Sequence, residues 1–307
     1  MSRIGRLTII GVGLIGGSLA LALKRAGAVG EIVGCGRDRQ HLQRALSLGV
    51  IDRLDTDPAH AVAEADVVFV ATPVSAMADI FRAIRAALPP QAVLTDGGSV
   101  KGSVVEAARA AFGRVPPRFV PGHPIAGTEK SGVEAAFAEL FDGQRVILTP
   151  LADTEAAALE RVRSLWASAG AQVTVMNADH HDRVLAATSH LPHVLAYALV
   201  DRLAAMDASE EVFAYAGGGF RDFSRIASSN PAMWRDIVLA NRGAVLDALD
   251  DLLQALERVR QDIERGDGEA LQACFTRAKS ARDRFIALAA SGCGADNGMP
   301  SQHNGNP

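Results

Sequence analysis

Four groups of residues in this 307-residue chain have types and spacings suited to holding or transforming a ligand. Gly11, Gly13 and Gly16 form a Gly-x-Gly-x-x-Gly run between a β-branched segment and an apolar helical one. Asp96-Gly-Gly-Ser99-Val-Lys101-Gly102 and Gly122-His123-Pro124-Ile-Ala-Gly127-Thr128-Glu129-Lys130 each follow a short apolar run, and both gather polar groups that a core does not need. The fourth group is dispersed over Ser189-His190-Leu-Pro192-His193, Gly217-Gly218-Gly219-Phe-Arg221-Asp222-Phe-Ser-Arg225 and Met233-Trp234-Arg235-Asp236. The glycine run suits a pyrophosphate, and the histidines and arginines suit a proton acceptor and an anion clamp. A metal site is not expected. His190 and His193 are three apart and can share a helical face, but no third ligand stands at a defined spacing. His180 and His181 read as surface residues in the first turn of a helix.

The elements that must position these groups follow from the apolar pattern. Leu7–Ile10 reads as a strand, the glycines as a turn, and the segment to Arg25 as a helix. Gly11 then permits the tight turn, Gly13 lets a pyrophosphate approach the backbone, and Gly16 lets the helix pack closely on the strand, with Leu14 and Ile15 filling the motif. The charge-free stretch Leu7–Leu23 also resembles the apolar region of an export signal, but four glycines inside it favour the strand–turn–helix reading. Further apolar runs at 31–35, 66–71, 92–96, 118–121, 146–149 and 172–176 alternate with helical stretches, which predicts an α/β Rossmann-type domain with a mostly parallel, doubly covered sheet. Beyond Met176 the pattern is helical. Asn230-Pro231 opens the clearest case, with apolar residues recurring from Val238 to Ile263 as one buried stripe of a long helix. The expected organisation is a dinucleotide-binding domain over 1–177, an all-α substrate and dimerisation domain over 178–290, and a disordered tail over 291–307.

The second strand of such a domain normally ends in an acid that binds the ribose 2′-hydroxyl. Here it ends Val33-Gly34-Cys35-Gly36-Arg37-Asp38, with glycine at the expected place and Arg37 next to it. A missing carboxylate and an added guanidinium lean the choice between NAD and NADP toward NADP. Asp38 offers the opposite reading if it reaches the ribose. Thr72-Pro73 falls where a loop would border the cofactor.

Composition limits the partners. Thirty-one basic against thirty-five acidic residues, a net charge of −4, argue against a broad nucleic-acid-binding face or a polybasic membrane surface. The residues beyond 177 are the acidic part, 13 basic against 18 acidic, so an anionic substrate there needs a few placed cations. Three cysteines without pairing motifs point to a reducing cytoplasm rather than a disulfide or zinc framework.

At this point the chain resembles the prephenate and arogenate dehydrogenase family of tyrosine biosynthesis. GxGLIGGS, GSVK, GHPIAGTEKSG, SHLPH, GGGFRDFSRIA and NPAMWRDI occur in that family's order between about Leu7 and Asp236. The resemblance implies hydride transfer to NAD or NADP from the carbon bearing the ring hydroxyl while the ring carboxylate leaves as CO2. It makes His123 the proton acceptor and Ser99 its neighbour between nicotinamide and substrate. Arg225 would pair with a substrate carboxylate, and His193, Thr128, Gly218 and Trp234 would line the pocket, Trp234 from the same or the neighbouring subunit. Glu129 would pair with the arginine and gate access, and Asp222 would stand behind the pocket. It also implies a homodimer formed through the helical domain. Two alternatives fit less well. A β-hydroxyacid-type dehydrogenase would be expected to use a lysine in the helical half, where only Lys279 stands, and a non-catalytic NAD(P)-sensing protein would be free to lose His123 and Arg225.

Overall fold

Strand and helix alternate from the start of the chain: β1 (Ile4–Ile10), α1 (Leu14–Arg25), β2 (Val29–Cys35), α2 (Arg39–Ser47), β3 (Arg53–Asp55), α3 (Pro58–Val62), β4 (Val67–Val70), α4 (Met77–Ile84), β5 (Val93–Asp96), α5 (Lys101–Phe112) and β6 (Phe119–Val120). The structure, a computed structural model, describes residues 3–128 and 130–290; the expected tail at 291–307 and Glu129 lie outside them. All six strands are parallel, in the order β3-β2-β1-β4-β5-β6. The apolar runs are continuous because both faces of the sheet are covered. Leu7 and Ile9 pack with Leu19 and Leu23 of α1 and Trp166, whereas Ile10 and Val70 pack with Phe81 of α4 and Val104 of α5. The charge-free stretch Leu7–Leu23 is thus the central strand, the glycine turn and the helix packed on it. No helix among the described residues is long and apolar enough to cross a membrane.

A second sheet follows that the sequence pattern does not announce. Strands β7 (Gly122–Pro124), β8 (Arg145–Leu148) and β9 (Gln172–Val175) form it, with α6 (Ala156–Ser168) joining the last two. β7 runs antiparallel to β8, with His123 opposite Ile147, and β8 and β9 are parallel. The runs at 146–149 and 172–176 therefore belong to this sheet and not to the six-stranded one. Strand β7 escapes prediction because three residues ending in proline carry no periodicity to read.

The rest is helical: α7 (Ala178–Leu185), a π-turn at Ala186–His190, α8 (Leu191–Ala204), α9 (Ser209–Ala214), α10 (Gly218–Ser224), a 3₁₀ turn at Arg225–Ser228, α11 (Pro231–Ala240), α12 (Arg242–Arg265) and α13 (Gly268–Ala290). The long helix expected from Asn230 is two helices. Asn230 caps the first through Met233 N, and Asn241 breaks the run by turning its amide inward, onto Asp182 O and His190 Nδ1. Of the expected stripe, Val245 is buried within the chain, whereas Leu239, Leu246, Leu253, Leu256 and Ile263 are exposed in the single chain. Beyond α12 the helical region continues through the 23 residues of α13. The chain divides into two compact units, Met1–Ala248 and Leu249–Pro307, with α12 running through the division.

Candidate active site

The order of the parallel strands reverses between β1 and β4, and ligands of open α/β sheets bind outside the strand ends at such a point. The glycine turn lies there. Gly11 has φ +98, and a Cβ on it would stand 2.6 Å from Ala71 O. A Cβ on Gly16 would stand 2.3 Å from Gly11 O, so the helix can approach the strand only with glycine here. Gly13 differs: a Cβ would meet nothing within 4 Å. It is the N-cap of α1, with no side-chain cap and no acidic residue in the first turn. Leu14 and Ile15 begin that helix, half-buried. Thr72 and Pro73 border the turn from the end of β4, and the Thr72 hydroxyl is buried with no protein partner. Open space over an uncapped, acid-free helix N-terminus beside an orphaned hydroxyl fits a dinucleotide pyrophosphate.

At the other end of the crevice Arg37 is exposed and without an ion pair among the described residues. Asp38 is engaged in capping α2, where its Oδ1 accepts from Gln40 N at 2.8 Å and His41 N at 3.2 Å. A side chain would fit at Gly36, where the nearest atom to a Cβ is Leu42 Cδ2 at 3.6 Å, so packing does not impose the missing acid. Burial first, then the charges of Asp55 and Asp57, push the Cys35 thiol up to about 12, which makes it a packing residue.

His123 sits on β7, half-buried, at the C-terminal edge of the six-stranded sheet. A buried ion pair holds that edge. Lys101 Nζ bonds to Asp96, at the end of β5, and donates to Gly122 O at 2.6 Å, while Asp96 Oδ1 accepts from Gly122 N at 3.2 Å. Both members are fully buried, and removing one would leave the other uncompensated. Ser99 is half-buried in the loop between them, its hydroxyl without a protein partner among the described residues. His123 Nδ1 lies 2.9 Å from His181 Nε2, and His181 Nδ1 lies 2.8 Å from Asp182 Oδ1. His181 is fully buried, which corrects its expected place on the surface; His180 is exposed as expected. The reason is packing that the local sequence does not reveal, because α7 starts against the N-terminus of α5, 80 residues earlier. Burial above all, and then His181, Lys101 and His190, hold His123 well below its ordinary value of 6.5, so its base form persists.

The helical elements bring a second set together. His193 on α8 stacks on Trp234 of α11, centroids 3.4 Å apart and planes at 17°, and its Nδ1 donates to Ser189 O at 2.9 Å. Trp234 is thus engaged by its own chain. Burial and the nearby Arg225 charge lower the pKa of His193, against the opposing effect of the Ser189 bond. Arg225 opens the 3₁₀ turn, exposed and without an ion pair among the described residues, and Tyr197 Oη steadies that turn by donating to Ser229 O at 2.6 Å. An unpaired guanidinium beside a stacked, neutral imidazole can take a carboxylate. His190 is buried, held down to about 4 chiefly by burial, and accepts Asn241 Nδ2 at 3.1 Å, which makes it an internal hydrogen-bonding group.

Other expected residues stand apart. Thr128 is exposed, accepts Lys130 N at 3.2 Å, and lines a separate cleft with Ile125, Phe137 and Leu140. Gly218 begins α10, open to solvent, and Asp222 on the same helix is exposed. Two residues with structural parts in the site, Asp182 and Asn241, were not singled out by sequence, and a third, His181, was read as a surface residue. An acid beside a histidine at a helix start was the one available signal.

Two family models match in chain order: the prephenate dehydrogenase nucleotide-binding domain over residues 19–175 and the prephenate dehydrogenase dimerization domain over 177–277. The cyclohexadienyl dehydrogenase of Zymomonas mobilis is 38% identical over 285 residues, covering 92% of this chain and 96% of that protein. The prephenate dehydrogenase of Bacillus subtilis is 38% identical over 284 residues, covering 90% of this chain and 75% of that one. Among solved structures, the prephenate dehydrogenase from Aquifex aeolicus, in complex with hydroxyphenyl propionate and NAD+, superimposes with a TM-score of 0.86 at 39% identity, covering 92% of this chain and 99% of that one. With both models matched across most of its length, and relatives this similar, the chain belongs to the prephenate dehydrogenase family.

Proposed function

We propose that the chain catalyses the oxidative decarboxylation of prephenate to 4-hydroxyphenylpyruvate, or of arogenate to tyrosine, as a step of tyrosine biosynthesis. The observation that carries this reading is His123, a histidine whose Nδ1 is committed to His181 at 2.9 Å and whose burial favours the base form, at the sheet edge that also holds the glycine turn. When bound, an oxidised nicotinamide cofactor supplies the hydride acceptor. His123 takes the ring hydroxyl proton as the adjacent C–H bond is lost, and returns it to that oxygen once CO2 has left and the ring is aromatic, so no net proton is consumed. Ser99 orients the hydroxyl, and Arg225 pairs with a substrate carboxylate. His193 and Trp234 form a flat wall, and the family resemblance alone adds Thr128, Gly218 and Glu129 as substrate contacts. Aromatisation drives the reaction, so what the protein contributes is orientation, a base and anion recognition.

NADP is the favoured cofactor in this proposal. Gly36 leaves room that an acid would otherwise fill, Arg37 is free to pair with a 2′-phosphate, and Asp38 is spent on a helix cap. Residues 1–177 would bind the cofactor, 178–290 the substrate, and a second copy would cover the exposed apolar residues of α12 and α13 to form a homodimer. The unpaired Cys35 and Cys274 suit a cytoplasmic enzyme.

A matrix of kcat/KM for prephenate and arogenate with NADP and NAD tests the whole reading. Turnover of at least one substrate is expected, with NADP preferred, and no turnover of either substrate with either cofactor would refute the activity. Arg37→Ala should lower the NADP/NAD ratio by about 10-fold or more, the size of a charge-assisted contact, and Gly36→Asp should reverse it.

A further inference from the structure

The bonds that hold His123 can be assigned a direction from their far end. Asp182 Oδ1 accepts Lys101 N–H and Asp182 Oδ2 accepts Gly102 N–H, both at 2.8 Å, at the first turn of α5. A carboxylate that accepts backbone donors is an acceptor for its remaining neighbour too, so the proton of the 2.8 Å contact with His181 sits on His181 Nδ1. With its single proton on Nδ1, His181 presents a lone pair at Nε2, and the 2.9 Å contact then places the proton on His123 Nδ1. That leaves His123 Nε2 bare. We propose that His181 and Asp182 are positioning residues that lock His123 in its Nδ1–H tautomer and take up the charge of its proton transfer.

This inference rests on the dehydrogenase reading and adds the means by which the base is kept ready. As His123 Nε2 takes the hydroxyl proton, the proton on Nδ1 can pass to His181 Nε2. One N–H bond breaks, one forms, and the positive charge comes to rest beside Asp182. The chain runs back when the product oxygen reclaims its proton, so no co-reactant is needed beyond those of the proposed reaction. Burial opposes the charge on Asp182, but the bonds from His181, Lys101 N and Gly102 N outweigh it and hold the carboxyl below its ordinary range. Gly102 belongs to the same device, since a Cβ there would stand 2.9 Å from Asp182 Oδ2.

The experiment combines ¹⁵N-histidine NMR of the full chain with steady-state kinetics of wild type, His181→Leu and His181→Gln. Wild-type His123 should appear as the Nδ1–H tautomer at neutral pH. His181→Leu should lose that tautomer and about 100-fold or more in kcat, with KM for both substrates within about 3-fold. His181→Gln retains an amide oxygen as acceptor and should recover about 10-fold of that loss, which a purely structural role would not produce. A wild-type Nε2–H tautomer, a kcat for His181→Leu within about 3-fold of wild type, or equal losses in both variants would each overturn the proposal. If His181→Leu does not fold, the wild-type tautomer and the glutamine variant still decide it. Absence of wild-type turnover refutes the dehydrogenase reading, whereas full turnover with the Nε2–H tautomer refutes only the inference drawn here.

Discussion

A histidine that accepts a proton at neutral pH has to be unprotonated there, and His123 achieves this through its surroundings. Burial disfavours its charged form, and His181, Lys101 and His190 face it from α7, α5 and the π-turn; Asp96 and Asp182 are meanwhile engaged by Lys101 and His181. Its pKa is lowered, so the base form survives below the usual 6.5 and is lost only as pH falls through the depressed value. The acid limb of kcat/KM, which reports the free enzyme, should therefore lie well below pH 6.5; a limb at or above 6.5 would show that another group controls it. His123→Asn should lower kcat by about 10²- to 10⁴-fold with little change in KM. Arg225→Ala should mainly raise KM, by about 10- to 100-fold for a lost charge-assisted contact, and equal small effects in both variants would contradict the two roles. His123 and Arg225 are legible in the sequence because they stand in motifs of glycine and polar residues that no core requires. His181 is not, because a His-His-Asp run at a helix start looks like a solvated first turn, and its burial depends on α5 arriving from 80 residues away.

The glycine turn separates, within one motif, what the fold needs from what the ligand needs. Gly16 is forced by the protein, since its Cβ would overlap Gly11 O, whereas the space over Gly13 is open. Gly16→Ala should cost about 1–3 kcal/mol of stability and lower Tm by several degrees. Gly13→Ala should leave Tm of the free protein unchanged and weaken dinucleotide binding, measured by calorimetry. Loss of Tm in Gly13→Ala, or unchanged binding, would remove the pyrophosphate from that space. The strand–turn–helix element is readable because its pattern is local and glycine is the cheapest way to make the turn. The small second sheet is not readable, because β7 is three residues long and pairs only with a strand 22 residues further on. The break at Asn241 is hidden for a similar reason: the apolar spacing continues across it, and the groups that draw the amide inward lie on α7 and the π-turn.

For the molecule as a whole, a charge of −4 sets no strong field, so association must come from shape and apolar surface. The amphipathic stripe of α12 is visible in the sequence, but what covers it is not, since periodicity gives a face and never its partner. In the single chain Leu253 is 53% exposed, Ile263 62%, Phe275 60% and Phe285 63%, too much apolar surface for two solvated helices. A two-fold contact between copies would bury each of these side chains twice, at about 1.5–3 kcal/mol apiece before the cost of association, which is ample for a stable dimer. Sedimentation velocity at micromolar concentration should give twice the 32.2 kDa chain mass for the wild type. Ile263→Glu and Phe275→Glu place charges on that surface and should shift the protein to single-chain mass while the far-ultraviolet spectrum stays helical. A monomeric wild type, or variants that sediment unchanged, would mean that the apolar face of α12 and α13 has another occupant than a second copy.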